Sequence, residues 1–209
     1  MQGPDEVPVQ QRLSGARLRD LPGAAGRGHG RLRRLSALVS DLLEISRIEA
    51  GTYEIHLDVV HLAPLLERIV DSVEQIAAEQ QLTIHCEVAP DLCALADETA
   101  LEHVLLNLVD NAVKYTQSGG TIRVRAALDG GRVRIEVEDN GPGIDARHRD
   151  RIFERFYRVD KGRSREVGGT GLGLAIVKHL AEAMEGSVGV GAAEPHGSIF
   201  WVRLAASPE

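Results

Sequence analysis

The sequence predicts an α+β fold: a two-layer α/β sandwich with helices on one face of a mixed sheet, preceded by a separate helical segment. Two patterns predict it. From residue 53 onward, stretches with helical apolar spacing are mixed with short stretches of period-two alternation. Before that, residues 31–50 carry one long apolar stripe and no strand character. The chain has 209 residues, enough for one sizeable core plus such an appendage. Its apolar fraction of 43% and charged fraction of 26% are ordinary for a soluble globular chain. Aromatics make up only 3%, so Leu, Val, Ile and Ala must fill the core.

Taken in order, residues 1–30 contain six Gly and three Pro without apolar periodicity, and are expected to be disordered or poorly formed. In residues 31–50, Leu32, Leu35, Leu38, Val39, Leu42, Leu43, Ile45 and Ile48 recur at three- and four-residue steps. That spacing predicts a helix of about 30 Å with a stripe wide enough to touch more than one neighbour. Gly51 is placed to cap it. The stripe needs cover, either from the rest of the chain or from a dimer partner. Tyr53 to Val60 reads as extended and Leu62 to Gln80 as helix. Leu82 to Val88 alternates as a strand, and Glu98 to Tyr115 returns to helical spacing. Thr121 to Leu128 and Arg132 to Glu138 read as strands joined through Asp129-Gly130-Gly131, a hairpin turn. Gly171 to Glu185 reads as helix. Ser187 to Gly191 and Ser198 to Leu204 are the closing strands. The resulting organisation is an N-terminal segment over 1–30, a helical segment over 31–52 and one α/β domain over 53–209.

Charge and cysteine usage narrow the function classes. The net charge of −7 argues against nucleic acid as a partner. The balance is uneven, with seven Arg against three acids over residues 1–34. No apolar run approaches the roughly 18 residues of a spanning helix, so no membrane contact is expected of this chain itself. The start has no basic-then-apolar signal pattern. Cys86 and Cys93 do not make a disulfide framework and fit no four-ligand zinc site. A reduced, cytoplasmic setting is expected, with both cysteines as packing residues.

Three blocks carry the chemistry. Asn107, Asn111 and Lys114 stand at i, i+4 and i+7 of one predicted helix and share a face. Asn is a poor helix-interior residue, because its amide competes for the backbone, so two on one face suggest a polar task. The Asn111 carbonyl oxygen suits a Mg²⁺ ion held mainly by phosphates and water. Lys114 can offset phosphate charge, and Tyr115 is placed to approach the same ligand. In the second block, Val133, Ile135 and Val137 alternate toward a core, and the strand runs out at Asp139. A carboxylate held there, partly buried, needs hydrogen-bond donors. Gly141 and Gly143 allow close backbone approach, and Pro142 stiffens the turn. The third block, Gly168 to Gly173, places four glycines in six residues ahead of a helix, where backbone N–H groups form an anion site. No strand leads into these glycines, which argues against a dinucleotide fold, and no Gly-x4-Gly-Lys-Ser/Thr loop is present. The polar stretch from Asp160 to Val167 reads as a lid, with Arg158, Lys161, Arg163 and Arg165 as candidate phosphate contacts.

In this order and spacing the blocks resemble the N, G1 and G2 boxes of the ATP-binding domain of sensor histidine kinases. Phe153-Glu154-Arg155-Phe156-Tyr157-Arg158 resembles the F box between G1 and G2. Asp41 to Gly51 resembles the end of the family's dimerisation hairpin, so the likeness runs from Arg31 to the end. It implies the Bergerat-type ATPase fold of the gyrase, chaperone and histidine-kinase superfamily, and ATP and Mg²⁺ as cofactors. It implies that Asn111 coordinates Mg²⁺ and that Asp139 accepts from the adenine amino group. The nucleotide would be lined by Asn107, Lys114, Tyr115, Gly141, Gly143, Ile144, Lys161, Gly169, Thr170, Gly171, Leu172, Gly173 and Leu174. Asn107, Lys114 and Arg158 would serve the transfer itself. The implied reaction moves the γ-phosphate of ATP to a histidine and then to the receiver domain of a response regulator. The implied assembly is a homodimer or heterodimer through the 31–50 helix.

One part of the family pattern is missing. An acceptor histidine should precede an acid and a Leu-Arg-Thr-Pro-like run, and none of the eight histidines has that context. His29 lies among glycines and arginines, and the other seven fall in the ATPase part. An acceptor placed as in the family would fall at or before the start of this sequence. The expectation is therefore a catalytic fragment acting on a histidine supplied in trans. A non-catalytic nucleotide-binding or dimerising module that regulates a kinase partner is the alternative. ATP hydrolysis of the gyrase type ranks last. Its general base is a Glu where this chain has Asn107, and an amide cannot take the proton from water.

Overall fold

The computed structural model describes residues 38–43, 45–48, 50–159 and 170–207. The expectations for residues 1–30, for the lid over 160–167 with Lys161, Arg163 and Arg165, and for Gly169 lie outside these residues.

Helix α1 is described over 38–43 and 45–48. It ends as its glycine dictates. Gly51 has φ +65°, its N–H donates to Ile48 O at 3.0 Å, and the Thr52 N–H donates to Arg47 O at 3.0 Å. These two bonds are the Schellman closure, which satisfies carbonyls the last turn would otherwise leave bare. Ile45 is fully buried against the domain, with Leu38 and Ile48 partly buried beside it. Val39, Leu42 and Leu43 remain 51%, 50% and 56% exposed. The wide stripe thus divides: one side packs on the chain's own core, and the other is open.

The domain proper runs β1 (Asp58–His61), α2 (Leu62–Glu79), β2 (Thr83–Val88), β3 (Cys93–Ala96), α3 (Glu98–Tyr115), β4 (Thr121–Asp129), β5 (Arg132–Asp139), α4 (Ala146–Arg149), α5 (Gly173–Ala183), β6 (Ser187–Ala192) and β7 (Ser198–Ala206). The seven strands form one sheet in the order β1-β3-β7-β5-β4-β2, with β6 also on β7. Only the β2–β4 pair is parallel, which makes the sheet mixed as expected. One edge of β7 is divided along its length. β6 pairs with Ser198 to Arg203, and β3 pairs with Ala205 and Ala206. The β4–β5 hairpin turns on Gly130 and Gly131, at φ +60° and +80°, between the paired Asp129 and Arg132. That is the backbone a two-residue primed turn requires.

Alternation assigns the faces. Val133, Ile135 and Val137 of β5, Ile122 and Val124 of β4, and Val202 and Leu204 of β7 are buried on one side, where α2, α3 and α5 pack. The opposite face carries a charge ladder. Arg125 bonds Glu136 and Glu138 at 3.2 and 2.7 Å, and Arg134 bonds Glu136 at 2.7 Å. The Arg134 and Arg203 guanidiniums lie 4.8 and 5.2 Å from the Trp201 ring. A face built of such pairs has no apolar surface to offer a second helical layer, so the helices gather on one side.

Two elements escaped the sequence reading. Strand β3, Cys-Ala-Leu-Ala, has neither β-branched residues nor polar alternation, and pairing with β1 and β7 creates it. Helix α4 is four residues long, below what periodicity can register. A third element is shorter than expected. Helix α5 starts at Gly173, not Gly171, because Gly171 sits at φ +75° and cannot propagate a right-handed helix. At its far end Glu185, at φ +57°, closes the turn.

Candidate functional site

Helix α3 is the floor of the site, and its start is well fixed. The Asp97 side chain accepts from Ala100 N at 2.9 Å and from His56 N at 3.0 Å, which caps the helix and ties down the chain after α1. Leu101, Val104, Leu105, Leu108, Val109, Ala112 and Val113 are buried. Asn107 and Asn111 therefore fall together at the half-buried margin, with Lys114 and Tyr115 outside it. The Asn107 amide donates to His103 O at 2.9 Å. Its carbonyl oxygen lies beneath Gly173, where a Cβ would come within 2.5 Å of it. Gly173 is needed there because the N box and the start of α5 touch. Lys114 pairs with Asp110 one turn back, so its charge is already partly met. Tyr115 is 41% exposed, and its backbone carbonyl abuts Gly141.

Strand β5 delivers Asp139 on the core side of the sheet, only 5% exposed. Burial pushes its carboxyl above the usual carboxylate range, opposed by the Gly141 and Ser198 backbone amides, while the Glu138 charge raises it further. The Gly141 N–H donates to Asp139 Oδ1 at 2.9 Å. A carboxylate costs several kcal/mol when buried without full pairing, so a ligand donor is the natural complement of this one. The turn beyond it is close-packed. A Cβ on Gly141 would meet both Asp139 Oδ1 and Tyr115 O at 2.9 Å, and Gly143, at φ +73°, backs onto the Gly197 carbonyl. Asn140 anchors the turn from outside, its side chain accepting from Thr121 N at 2.7 Å. Ile144 is half-buried and packs against the core.

The third wall joins the second glycine segment to the F-box stretch. Phe156 N donates to Gly171 O at 2.8 Å, and a Cβ on Gly171 would sit 3.1 Å from Phe156 Cα. The half-buried Arg158 lies against the same glycine. Thr170 Oγ1 accepts from Leu172 N at 3.2 Å and donates to Asp41 Oδ2 at 3.2 Å. This second bond ties the glycine segment to helix α1. Leu172 is buried and Leu174 half-buried, so the hydrophobic members of this box serve packing. Leu38, Val39, Leu42, Phe156 and Leu172 line a shallow apolar cleft between α1 and this wall.

The structure therefore sets Gly173 against Asn107 in the middle of α3 and Gly141 against Asp139 and Tyr115 at its C-terminal end, with Asn111 between them on the same half-buried margin of the helix. A further contributor, the turn between β6 and β7, carries no motif or spacing that marks it in the sequence. His196 Nδ1 lies 3.2 Å from Gly141 O, and Gly197 is pressed so closely on the Asp139 carbonyl that no Cβ fits. No alternation or spacing marks a residue in a turn, so this contact could not have been read from the chain. Among the described residues no group of three or more His, Cys, Asp or Glu is placed to hold a metal. The donor set suits a cation carried in by phosphate oxygens, with one amide oxygen from the protein.

Comparison with known proteins gives the same outline. Residues 96–208 match the family described as histidine kinase-, DNA gyrase B- and HSP90-like ATPases. The sensor-like histidine kinase SenX3 of Mycolicibacterium smegmatis is 36% identical over 176 residues, which is 84% of this chain and 46% of SenX3. The sensory/regulatory protein RpfC of Xanthomonas campestris is 41% identical over 179 residues, covering 82% of this chain and 25% of RpfC. Among solved structures, full-length ShkA in complex with AMPPNP superposes with a TM-score of 0.74 at 40% identity, over 84% of this chain and 36% of ShkA. The chain thus spans less than half the length of these relatives.

Proposed function

The chain belongs to the family of histidine kinase-, DNA gyrase B- and HSP90-like ATPases, its catalytic domain being of the histidine-kinase type, and from that premise we propose that it binds ATP–Mg²⁺ and transfers the γ-phosphate to a histidine supplied in trans. The buried Asp139 carboxylate carries this reading. It lies at the end of a core strand, raised by desolvation, with the Gly141 amide on one oxygen. The adenine amino group is the donor it lacks. Glycine at positions 141, 143, 171 and 173 lets the segments that would surround the nucleotide pack closely on one another, since a Cβ at each would press on its neighbour.

Phosphoryl transfer needs positioning and charge stabilisation more than covalent help. Asn111 would hold the Mg²⁺, which offsets charge on the phosphates. Asn107 fixes the start of α5 beneath the phosphates. Lys114, partnered by Asp110, and Arg158, against Gly171, stand at the phosphate end, with Lys161 and Gly169 assigned there by sequence. Asn107 replaces the base that hydrolysis would need, which favours transfer over attack by water. The receiver domain of a response regulator is the proposed final acceptor. The exposed Val39, Leu42 and Leu43 face of α1 is the proposed dimer contact.

Calorimetric titration of ATP with and without Mg²⁺ tests the site. The expected result is Mg²⁺-dependent binding to the wild type that Asn111→Ala weakens in magnesium and leaves unchanged in EDTA. Equal loss in both conditions would remove Asn111 from the metal. Rapid steady-state phosphate release would make the chain a hydrolase instead.

A further inference from the structure

Four contacts link Asp139, the turn after it and the β6–β7 turn. The Gly141 N–H donates to Oδ1 at 2.9 Å. The Ser198 backbone amide also favours the charged carboxylate. Gly197, between Ser198 and His196, packs on the Asp139 carbonyl. His196 then reaches back to the turn after Asp139, its Nδ1 3.2 Å from Gly141 O. A carbonyl only accepts, so Nδ1–H is the donor in this contact. Gly141 therefore gives its N–H to Asp139 and, in the next peptide unit, its carbonyl to His196. Pro142 stiffens the Gly141–Pro142–Gly143 turn, while Gly141 and Gly143 keep backbone freedom on either side of it, Gly143 in a left-handed conformation. Among the described residues, His196 is the side chain whose bond spans from the β6–β7 turn to this turn.

We infer that His196 is a positioning residue for purine recognition, acting through Gly141 to hold the Asp139 carboxylate where it accepts from a purine 6-amino group. The inference rests on the nucleotide reading above and adds a second layer to it. His196 itself is exposed at the rim of the turn, so removing it opens no core cavity. Its loss removes the tie on the Gly141 carbonyl, so the residue that presents its N–H to Asp139 is held on one side only.

The test compares ATP with purine riboside triphosphate, which lacks the 6-amino group, by titration calorimetry. His196→Ala is expected to weaken ATP binding about fivefold, the size of one net hydrogen bond, and to leave the amino-free analogue within about twofold. His196→Asn places an amide N–H where Nδ1 stood and is expected to restore ATP binding. Equal weakening of both nucleotides, or no rescue by Asn, would overturn the inference in favour of a purely structural turn. Undiminished ATP binding by His196→Ala, alongside loss in Asp139→Asn, would overturn it while leaving the nucleotide reading intact. If Asp139→Asn binds ATP as the wild type does, the nucleotide reading itself fails and this inference with it.

Discussion

Asp139 carries an energetic conflict, since it is buried and burial disfavours its charge. Desolvation raises its pKa in the folded chain, so the native state disfavours the ionised form. The sign follows directly. This group's stabilising contribution is complete below the unfolded pKa and is lost as pH rises through the higher folded value. At neutral pH, above the unfolded value, Asp139 therefore works against the ligand-free fold. Asp139→Asn keeps an oxygen for the Gly141 N–H and removes the buried charge. The variant should melt higher than the wild type at neutral pH, with the gap closing as pH falls toward the usual carboxylate range. It should also lose adenine nucleotide binding. Thermal scans across pH check the first part and calorimetry the second. Asp139 was legible in the sequence because β5 alternates cleanly up to it. His196 was not, because its partner is a backbone carbonyl 55 residues away.

Among the elements, α3 and α5 decide the site's shape. Helix α3 was legible to the residue, since its apolar spacing is unbroken and Asp97 caps it. Asp97→Ala removes acceptors for Ala100 N and His56 N together. It should cost about 1–2 kcal/mol of stability, read as a lowered denaturant midpoint at unchanged slope. Helix α5 was read two residues too long at its start, because apolar periodicity does not see φ, and Gly171 is left-handed. Gly173→Ala puts a Cβ 2.5 Å from Asn107 Oδ1. Overpacking of that kind costs about 1–3 kcal/mol. Displacing the Asn107 amide should also weaken ATP binding, which the same titration would register. Strand β3 and helix α4 stayed hidden for the opposite reason. Their identity comes from neighbours and turns, not from any pattern of their own.

At the scale of the whole molecule, helix α1 packs one side on the domain and leaves the other side open. It contributes Ile45 to the core and bonds the glycine segment through Asp41 and Thr170. Sequence alone left open whether its stripe faced inward or outward; the structure divides it between both. Val39→Glu with Leu43→Glu should leave the domain folded and reduce self-association, observable by sedimentation. Among the described residues no helix is long and apolar enough to cross a membrane. The central claim, that this domain transfers phosphate and does not merely hold nucleotide, is tested most directly with a helical hairpin carrying an acceptor histidine. The chain is mixed with that hairpin, γ-labelled ATP and Mg²⁺, and label is sought that is acid-labile and base-stable. Such label is expected on the hairpin, and none with Asp139→Asn. Tight ATP binding with an unlabelled hairpin would contradict that claim and leave a nucleotide-binding module without transfer.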